Sequence, residues 1–250
     1  LLRDRRTREA ERAFVVEGPR AIEAALDRGA VLEAVFFSTF ADVAFASLRS
    51  RVEAAGITVV LLKEGVLEKL GTTVTPQPVL AVVAMPSPLL RDLNGNGLVL
   101  VGLALADPGN LGTLVRSAEA SGAEGIVLSA GSVDAYNPKV VRASAGAIFG
   151  IPVVEGCSAV EALDALGKQG RRRLGADARA GTAYDEVDFR GPTAVVLGNE
   201  ARGIPPELHQ HLDGWVAVPM RGAAESLNVA MAATVLCFEA ARQRARETTW

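Results

Sequence analysis

An α/β protein built on a parallel sheet is the fold class this sequence predicts, and three observations predict it. Short runs of β-branched and aliphatic residues alternate with amphipathic stretches along most of the 250 residues, and Gly or Pro bounds the runs. One run, Leu98 to Asp107, is almost continuously apolar, as a strand covered on both faces of a parallel sheet must be. The composition is 49% hydrophobic and 22% charged, with a mean hydropathy of +0.24, which supplies a sizeable core and excludes a disordered chain, a collagen and a disulfide scaffold. At this length two domains are expected.

In order along the chain, strands are read at FVVEG from Phe14, LEAVFFS from Leu32, ITVVLL from Ile57 and VLAVVAM from Val79. Helices are read between them, from Pro19 to Arg28, Asp42 to Ala55 and Lys63 to Leu70. Then Pro86, Pro88, Asn94, Gly95, Asn96 and Gly97 crowd a dozen positions, the composition of a linker or surface turn. The division expected is a first domain over 1–90, a linker over 91–97 and a second domain over 98–250. The second domain opens with the Leu98 to Asp107 strand, followed by a helix over PGNLGTLVRSAEASG and a strand at GIVLSA from Gly125. A helix from Pro138 to Phe149 has its proline in the first turn, where the missing N–H costs nothing. IPVVEG, RRRLGAD, TAVVLGNE and GWVAVPM read as further short strands, and Ser226 to Arg246 as a long terminal helix. From Val229 to Ala240 that helix has one charged residue, Glu239, so it is buried on more than one side, either in its own core or against a second subunit.

Several functional classes fall away. No apolar run reaches the roughly 20 residues that cross a bilayer, and the arginine-rich start from Leu1 to Arg12 is not followed by a signal-peptide core. Cys157 and Cys237 have no CxxC spacing, and His209 and His211 sit in a polar loop, so a metal centre is not expected and a reduced, cytoplasmic setting is. The net charge of −3 and pI near 5.6 argue against a broad basic face. Residues 1–90 hold 11 basic and 11 acidic side chains, so neither half is basic overall. Local clusters remain at Arg3, Arg5, Arg6, Arg8 and Arg12 and at Arg171, Arg172 and Arg173, open to two readings: phosphate contacts or a solvated face.

A parallel sheet binds ligands at the carboxyl ends of its strands, yet the familiar nucleotide motifs fail there. Gly109-Asn110-Leu111-Gly112 is neither GxGxxG nor a P-loop, and Ala143-Ser144-Ala145-Gly146 lacks one glycine of a nucleophile elbow. Three other segments place polar groups where a core has no use for them. Asp107 to Gly112 ends a buried strand and opens a helix carrying Arg116; Leu197 to Gly203 ends another strand; Pro219-Met220 leads through a loop to Glu225-Ser226-Leu227-Asn228 at the entry to the apolar helix. Each alone reads as a turn or a cap, with Ser226 an N-cap and Asn228 a core amide. At strand ends on one edge of one sheet, together they make a site.

These segments, NLGTLVRSAEASG, VVLGNEARGI and VPMRGAAESLNVAMAATVLCFEA, resemble in order and spacing the three motifs of the SpoU/TrmH family of RNA 2'-O-ribose methyltransferases, and the intervening YNPKVVRASAGAIFGIPV resembles it too. The resemblance spans Leu98 to the carboxyl end. It implies a SPOUT-superfamily methyltransferase domain: a parallel sheet tied in a deep trefoil knot, dimerised with the active site near the subunit interface. More weakly, RTREAERAFVVEGPRAIEAAL resembles the ribosomal-protein-like substrate-binding domain that precedes many rRNA-modifying members. The chain opens inside that pattern, so a short native segment is expected before Leu1.

The resemblance implies transfer of a methyl group from S-adenosyl-L-methionine to a ribose 2'-hydroxyl, leaving S-adenosyl-L-homocysteine, with no metal. Ribosomal RNA is the expected substrate and partner, with transfer RNA the alternative. Arg116, Asn110, Glu200, Ser226 and Asn228 match the family's catalytic positions. Leu197, Gly198, Val218, Met220 and Leu227 match those that clasp the cofactor. An arginine is effectively always protonated, so Arg116 is read as a phosphate-bound group that orients the nucleotide, with Glu200 and Asn228 holding it and the ribose in register. Glycine at 198 is read as letting the ligand approach the main chain, and Val218 and Leu227 as apolar walls for adenine. The rival classes are a non-catalytic RNA-binding dimer of the same fold and a different α/β enzyme such as a nucleotide-binding oxidoreductase.

Overall fold

The computed structural model describes residues 1–70 and 77–245, which form two compact units. The first holds Leu1–Pro86 and the return segment Tyr136–Gly150; the second holds Ser87–Ala135 and the chain from Ile151 onward.

In the first unit, α1 (Arg5–Glu11) is started by the Asp4 carboxylate, which accepts the Thr7 N–H at 3.0 Å. Then follow β1 (Ala13–Glu17), α2 (Pro19–Asp27), β2 (Leu32–Ser38), α3 (Thr39–Ala44), α4 (Ala46–Ala54), β3 (Thr58–Leu62), α5 (Val66–Leu70) and β4 (Val79–Ala84). The sheet order is β1-β4-β2-β3, with β4 antiparallel to both neighbours and β2 parallel to β3. The helix expected from Asp42 to Ala55 is two helices. The Ser38 hydroxyl caps the chain as it leaves β2, accepting the Ala41 N–H, and the backbone departs from helical geometry at Phe45 (φ −119°, ψ 36°). Within the amino-terminal arginine cluster, Arg8 is buried and donates to the Leu1 carbonyl and Arg5 pairs with Glu9, while Arg3 and Arg6 are exposed.

The second unit begins with β5 (Leu98–Gly102), α6 (Pro108–Ala120) and β6 (Gly125–Ser129). The chain then returns to the first unit, where α7 (Pro138–Ala143) ends and the backbone takes positive φ at Ala145 and Gly146 before a short 3₁₀ turn at Ala147–Phe149. A single helix from Pro138 to Phe149 is thereby interrupted: an added Cβ at Gly146 would lie 2.8 Å from that of Ala24, so glycine serves both the left-handed turn and the close approach. Phe14 of β1 receives this segment, with the Tyr136 ring 4.8 Å and the Phe149 ring 6.2 Å away.

From Ile151 the second unit adds β7 (Val153–Cys157), α8 (Ala159–Lys168), β8 (Arg172–Ala176), β9 (Thr182–Ala183), β10 (Thr193–Leu197), β11 (Gly214–Ala217) and α9 (Val229–Ala245). Its sheet runs β7-β6-β5-β10-β8-β11-β9 and every pair is parallel. All residues of β5 and β10 are buried, because Val99, Val101, Ala194 and Val196 meet Leu163 and Leu166 of α8 on one face while α6 and α9 cover the other. The strand stops at Gly102 rather than Asp107. There Leu103 donates its N–H to Leu197, Ala104 takes φ 47°, and Leu105 folds back over Gly102, where an added Cβ would meet its methyl at 2.7 Å.

The arginine run is structural. Arg171, with no exposed side-chain surface, donates to the carbonyls of Leu93, Gly95 and Gly97 and pairs with Glu124 at 2.7 Å. Glu124 accepts the Gly95 and Gly97 N–H groups at 2.6 and 2.8 Å, so the Asn94–Gly97 turn is clamped from both polarities. Arg172 donates to the Asp188 carbonyl and Arg173 forks onto Asp213, which leaves none of the three guanidinium groups as a bare phosphate contact. Helix α9 begins at Val229, and Arg246, the residue expected to end it, lies outside the described residues. No helix among the described residues is long and apolar enough to cross a membrane.

Candidate active site

Three chain segments of the second unit meet at the carboxyl edge of the sheet. At the start of α6, the Asp107 carboxylate accepts the Asn110 N–H at 2.7 Å, and Pro108 opens the helix, so Asn110 is fixed in the first turn. At the start of α9, the cap is Asn228 rather than Ser226: its side-chain oxygen accepts from Ala230 at 2.9 Å and from Met231 at 3.4 Å. Beyond β10, Glu200 accepts the backbone N–H groups of Ala106 and Asp107 and the side-chain amide of Asn110 at 3.0 Å.

The polarity of this chain is forced. The Asn228 oxygen is taken by backbone donors, so its amide nitrogen faces outward and donates to Asn110 Oδ1 at 2.8 Å; Asn110 Nδ2 then donates to Glu200, which when ionised can only accept. Burial pushes the Glu200 carboxyl up, but the Asn110 amide and the surrounding backbone N–H groups outweigh it and hold it below the usual carboxylate range. Glu200 is an anion at neutral pH.

Beside this chain lies a cavity of about 600 Å³ at the ends of β8, β10 and β11. Asn110, Leu197, Gly198, Glu200, Val218, Met220, Ser226, Leu227 and Asn228 line it, nine of the ten residues singled out from sequence. The tenth, Arg116, does not. Six residues beyond Asn110 it stands ~120° around the helix, on the exposed stripe of Gly109, Thr113, Arg116 and Ala120, and it makes no hydrogen bond or ion pair with any described residue. Glu200 and Asn228 hold Asn110, not Arg116.

Gly198 is explained by the chain itself. A Cβ there would sit 2.6 Å from the Gly203 carbonyl oxygen and the Ile204 nitrogen, because Asn199 and Gly203 pair into a tight loop that folds back over it. The main-chain approach read for Gly198 is that of Gly203–Ile204.

Sequence reasoning passed over Asp177 and Arg179, and it placed Asn199 and Glu225 in the singled-out segments without a role. Asn199 ties two loops together, donating to the Ala104 carbonyl at 2.7 Å while its oxygen accepts from Ala201 and Arg202. Its place beside Glu200 was the available signal. Arg179 and Glu225 both line the cavity and pair at 2.6 Å; they lie 46 residues apart, and no spacing rule joins them.

Residues 97–238 match the SpoU rRNA Methylase family, and residues 1–81 match the MRM3-like substrate binding domain. The chain is 33% identical to the 23S rRNA (guanosine(2553)-2'-O)-methyltransferase RlmP of Bacillus subtilis, over 95% of this chain and 92% of that protein. It is 32% identical to a 23S rRNA (uridine(2479)-2'-O)-methyltransferase of Streptomyces viridochromogenes, over 97% of this chain and 86% of that one. The crystal structure of the SpoU methyltransferase AviRb from Streptomyces viridochromogenes in complex with AdoMet superimposes with a TM-score of 0.86 at 30% identity, covering 98% of this chain and 95% of that one.

Proposed function

The chain belongs to the SpoU rRNA methylase family, and from that premise we propose how it carries out S-adenosylmethionine-dependent methyl transfer to a ribose 2'-hydroxyl of ribosomal RNA. One observation carries the reading: the ends of three separate segments are joined as Asn228–Asn110–Glu200 on the wall of one cavity. The cavity fits the cofactor. Its volume of about 600 Å³ is that of a small-molecule site, and Ile204, Val218 and Leu227 give apolar walls beside charged groups at Asp177, Arg179 and Glu225.

Bound there, S-adenosylmethionine supplies a methyl group already activated by its sulfonium. The protein's own task is to hold the hydroxyl in line and manage one proton. Leu197, Gly198, Val218, Met220 and Leu227 form the cofactor's walls. Glu200, kept anionic, accepts the hydrogen bond of the 2'-hydroxyl and then its proton as the oxygen–methyl bond forms, while Asn110 and Asn228 keep the carboxylate from turning away. Ser226, exposed at the loop before α9, donates to the substrate ribose.

Arg116 grips an RNA phosphate, and it does so at the cavity of a second copy. Two facts support this: Arg116 faces away from its own cavity, and α9, which packs on α6, leaves Met231 and Phe238 61% and 47% exposed one above the other. A homodimer through that face covers the apolar stripe and brings the exposed stripe of α6 to the other subunit. The first unit holds the RNA, the protein works in the cytoplasm, and α9 is threaded in a trefoil knot; in support of the last, its final turns are bonded to Val187, Phe189 and Gly191 of the segment before β10.

Mapping 2'-O-methyl groups in RNA from cells with and without the gene tests the function. Loss of one methylated ribose in ribosomal RNA is expected; loss in transfer RNA, with ribosomal RNA unchanged, would overturn the substrate.

A further inference from the structure

Four charged side chains line the cavity: Asp177, Arg179, Glu200 and Glu225. Glu200 is engaged by the amide chain, and the Asp177 carboxylate accepts the Arg179 backbone N–H at 2.7 Å. Arg179 and Glu225 are bound to each other through one contact of 2.6 Å, with three quarters or more of each side chain exposed (75% and 80%). An exposed pair of this kind contributes little to stability, so the fold does not explain why two opposite charges from distant loops meet at this cavity. Arg179 is the one cation among the described residues that line it.

The cofactor of the proposed reaction carries the matching charges. Its amino-acid tail has one carboxylate and one ammonium group, and a guanidinium and a carboxylate already side by side offer each its opposite. Resting on the methyltransferase reading of this cavity, we infer that Arg179 and Glu225 form the subsite for the zwitterionic tail of S-adenosylmethionine. Their mutual ion pair opens on binding, Arg179 takes the carboxylate and Glu225 the ammonium. Two exposed charges thus exchange one partner for another without leaving any charge unpaired, and the desolvation that makes buried charges costly is avoided. The guanidinium fork suits a carboxylate in a way a lysine does not.

Calorimetry with two ligands tests this without turnover: S-adenosylhomocysteine, and 5'-methylthioadenosine, which keeps the nucleoside and thioether but lacks the tail. The wild-type protein is expected to prefer S-adenosylhomocysteine. Arg179→Ala should weaken that ligand by on the order of tenfold, the worth of one hydrogen bond to a charged group, and leave methylthioadenosine unchanged. Glu225→Gln, which removes the partner of the ammonium group, should likewise weaken S-adenosylhomocysteine and leave methylthioadenosine unchanged. Equal loss for both ligands in Arg179→Ala and in Glu225→Gln would show that the pair only fixes the loops. Unchanged affinity in Arg179→Ala would overturn the subsite while leaving the cofactor reading intact, whereas a wild-type protein that binds neither ligand would overturn both.

Discussion

Glu200, Asn110 and Asn228 form one hydrogen-bonded chain in which each fixes the only free choice of the next. An amide can turn over and a carboxylate can rotate, but backbone donors at both ends of this chain remove those freedoms. Asn110→Asp puts a second carboxylate against Glu200 and removes the donor; like charges at that distance push one carboxyl up. The expected result is a fall in methyl transfer that is steepest below neutral pH, where the shared site binds a proton, read as a pH–rate profile shifted to higher pH. Arg116→Ala should lower the rate by about 100-fold, as for one positioned electrostatic group, with Tm nearly unchanged because the side chain is exposed; Arg116→Lys should rescue poorly. A near wild-type rate in the alanine variant would remove Arg116 from the machinery. Gly198→Val, in contrast, should lower Tm as well as cofactor affinity, since its side chain must displace Gly203 and Ile204. These residue types were legible in the sequence because polar groups after apolar strands have few structural uses. The direction in which Arg116 points was not, since six residues along a helix leave it about a third of a turn from Asn110 and only the whole helix's burial says which side is outer.

Among elements, the turn at Asn94–Gly97 depends on two side chains far along the chain. Breaking a buried ion pair by removing one partner leaves the other charge uncompensated, so Glu124→Gln is expected to cost about 3 kcal/mol in denaturant unfolding with Arg171 still buried. Burial pushes the Glu124 carboxyl up, but Arg171 and the Gly95 and Gly97 N–H groups hold it below the usual carboxylate range. A carboxyl lowered in the folded state stabilises above its unfolded pKa, and the contribution is lost as pH falls through the lowered folded value. Wild-type Tm should therefore drop on acidification below the ordinary carboxylate range, and Glu124→Gln should flatten that part of the profile. Strands were read from the sequence to within a residue or two at β1, β2, β4 and β6, where β-branched runs end at Gly, Ser or Pro. Helix α8 and the two-residue β9 were missed, one masked by the small residues of AVEALDALGK and the other too short for any period to register. The Leu98 run misled because apolar residues after Gly102 are buried in a turn, and burial without period does not distinguish a strand from a packed loop.

At the scale of the molecule, the proposed dimer predicts complementation. If Arg116 serves the other copy's cavity, equal mixing of inactive Arg116→Ala and Asn228→Ala subunits restores roughly a quarter of wild-type activity, since half the dimers are mixed and one of their two sites is intact. No recovery after subunit exchange would remove Arg116 from the other copy's cavity, and a 26.1 kDa species in sedimentation would remove the dimer itself. Composition suggested a two-part division, because prolines and glycines crowd one stretch; the return of Tyr136–Gly150 to the first unit was not legible, because nothing local marks a segment whose apolar partners lie more than a hundred residues earlier. That return sets an order of events at the ribosome. The first unit, although it emerges first, cannot fill the place beside Phe14 until Phe149 has left the exit tunnel, when the strands at Leu98 and Gly125 are already outside. Domains usually fold one after the other as they are made; here the earlier one waits for part of the later, and a pause in translation shortly before Tyr136 would leave Phe14 without its aromatic cover, exposed to chaperones and proteases.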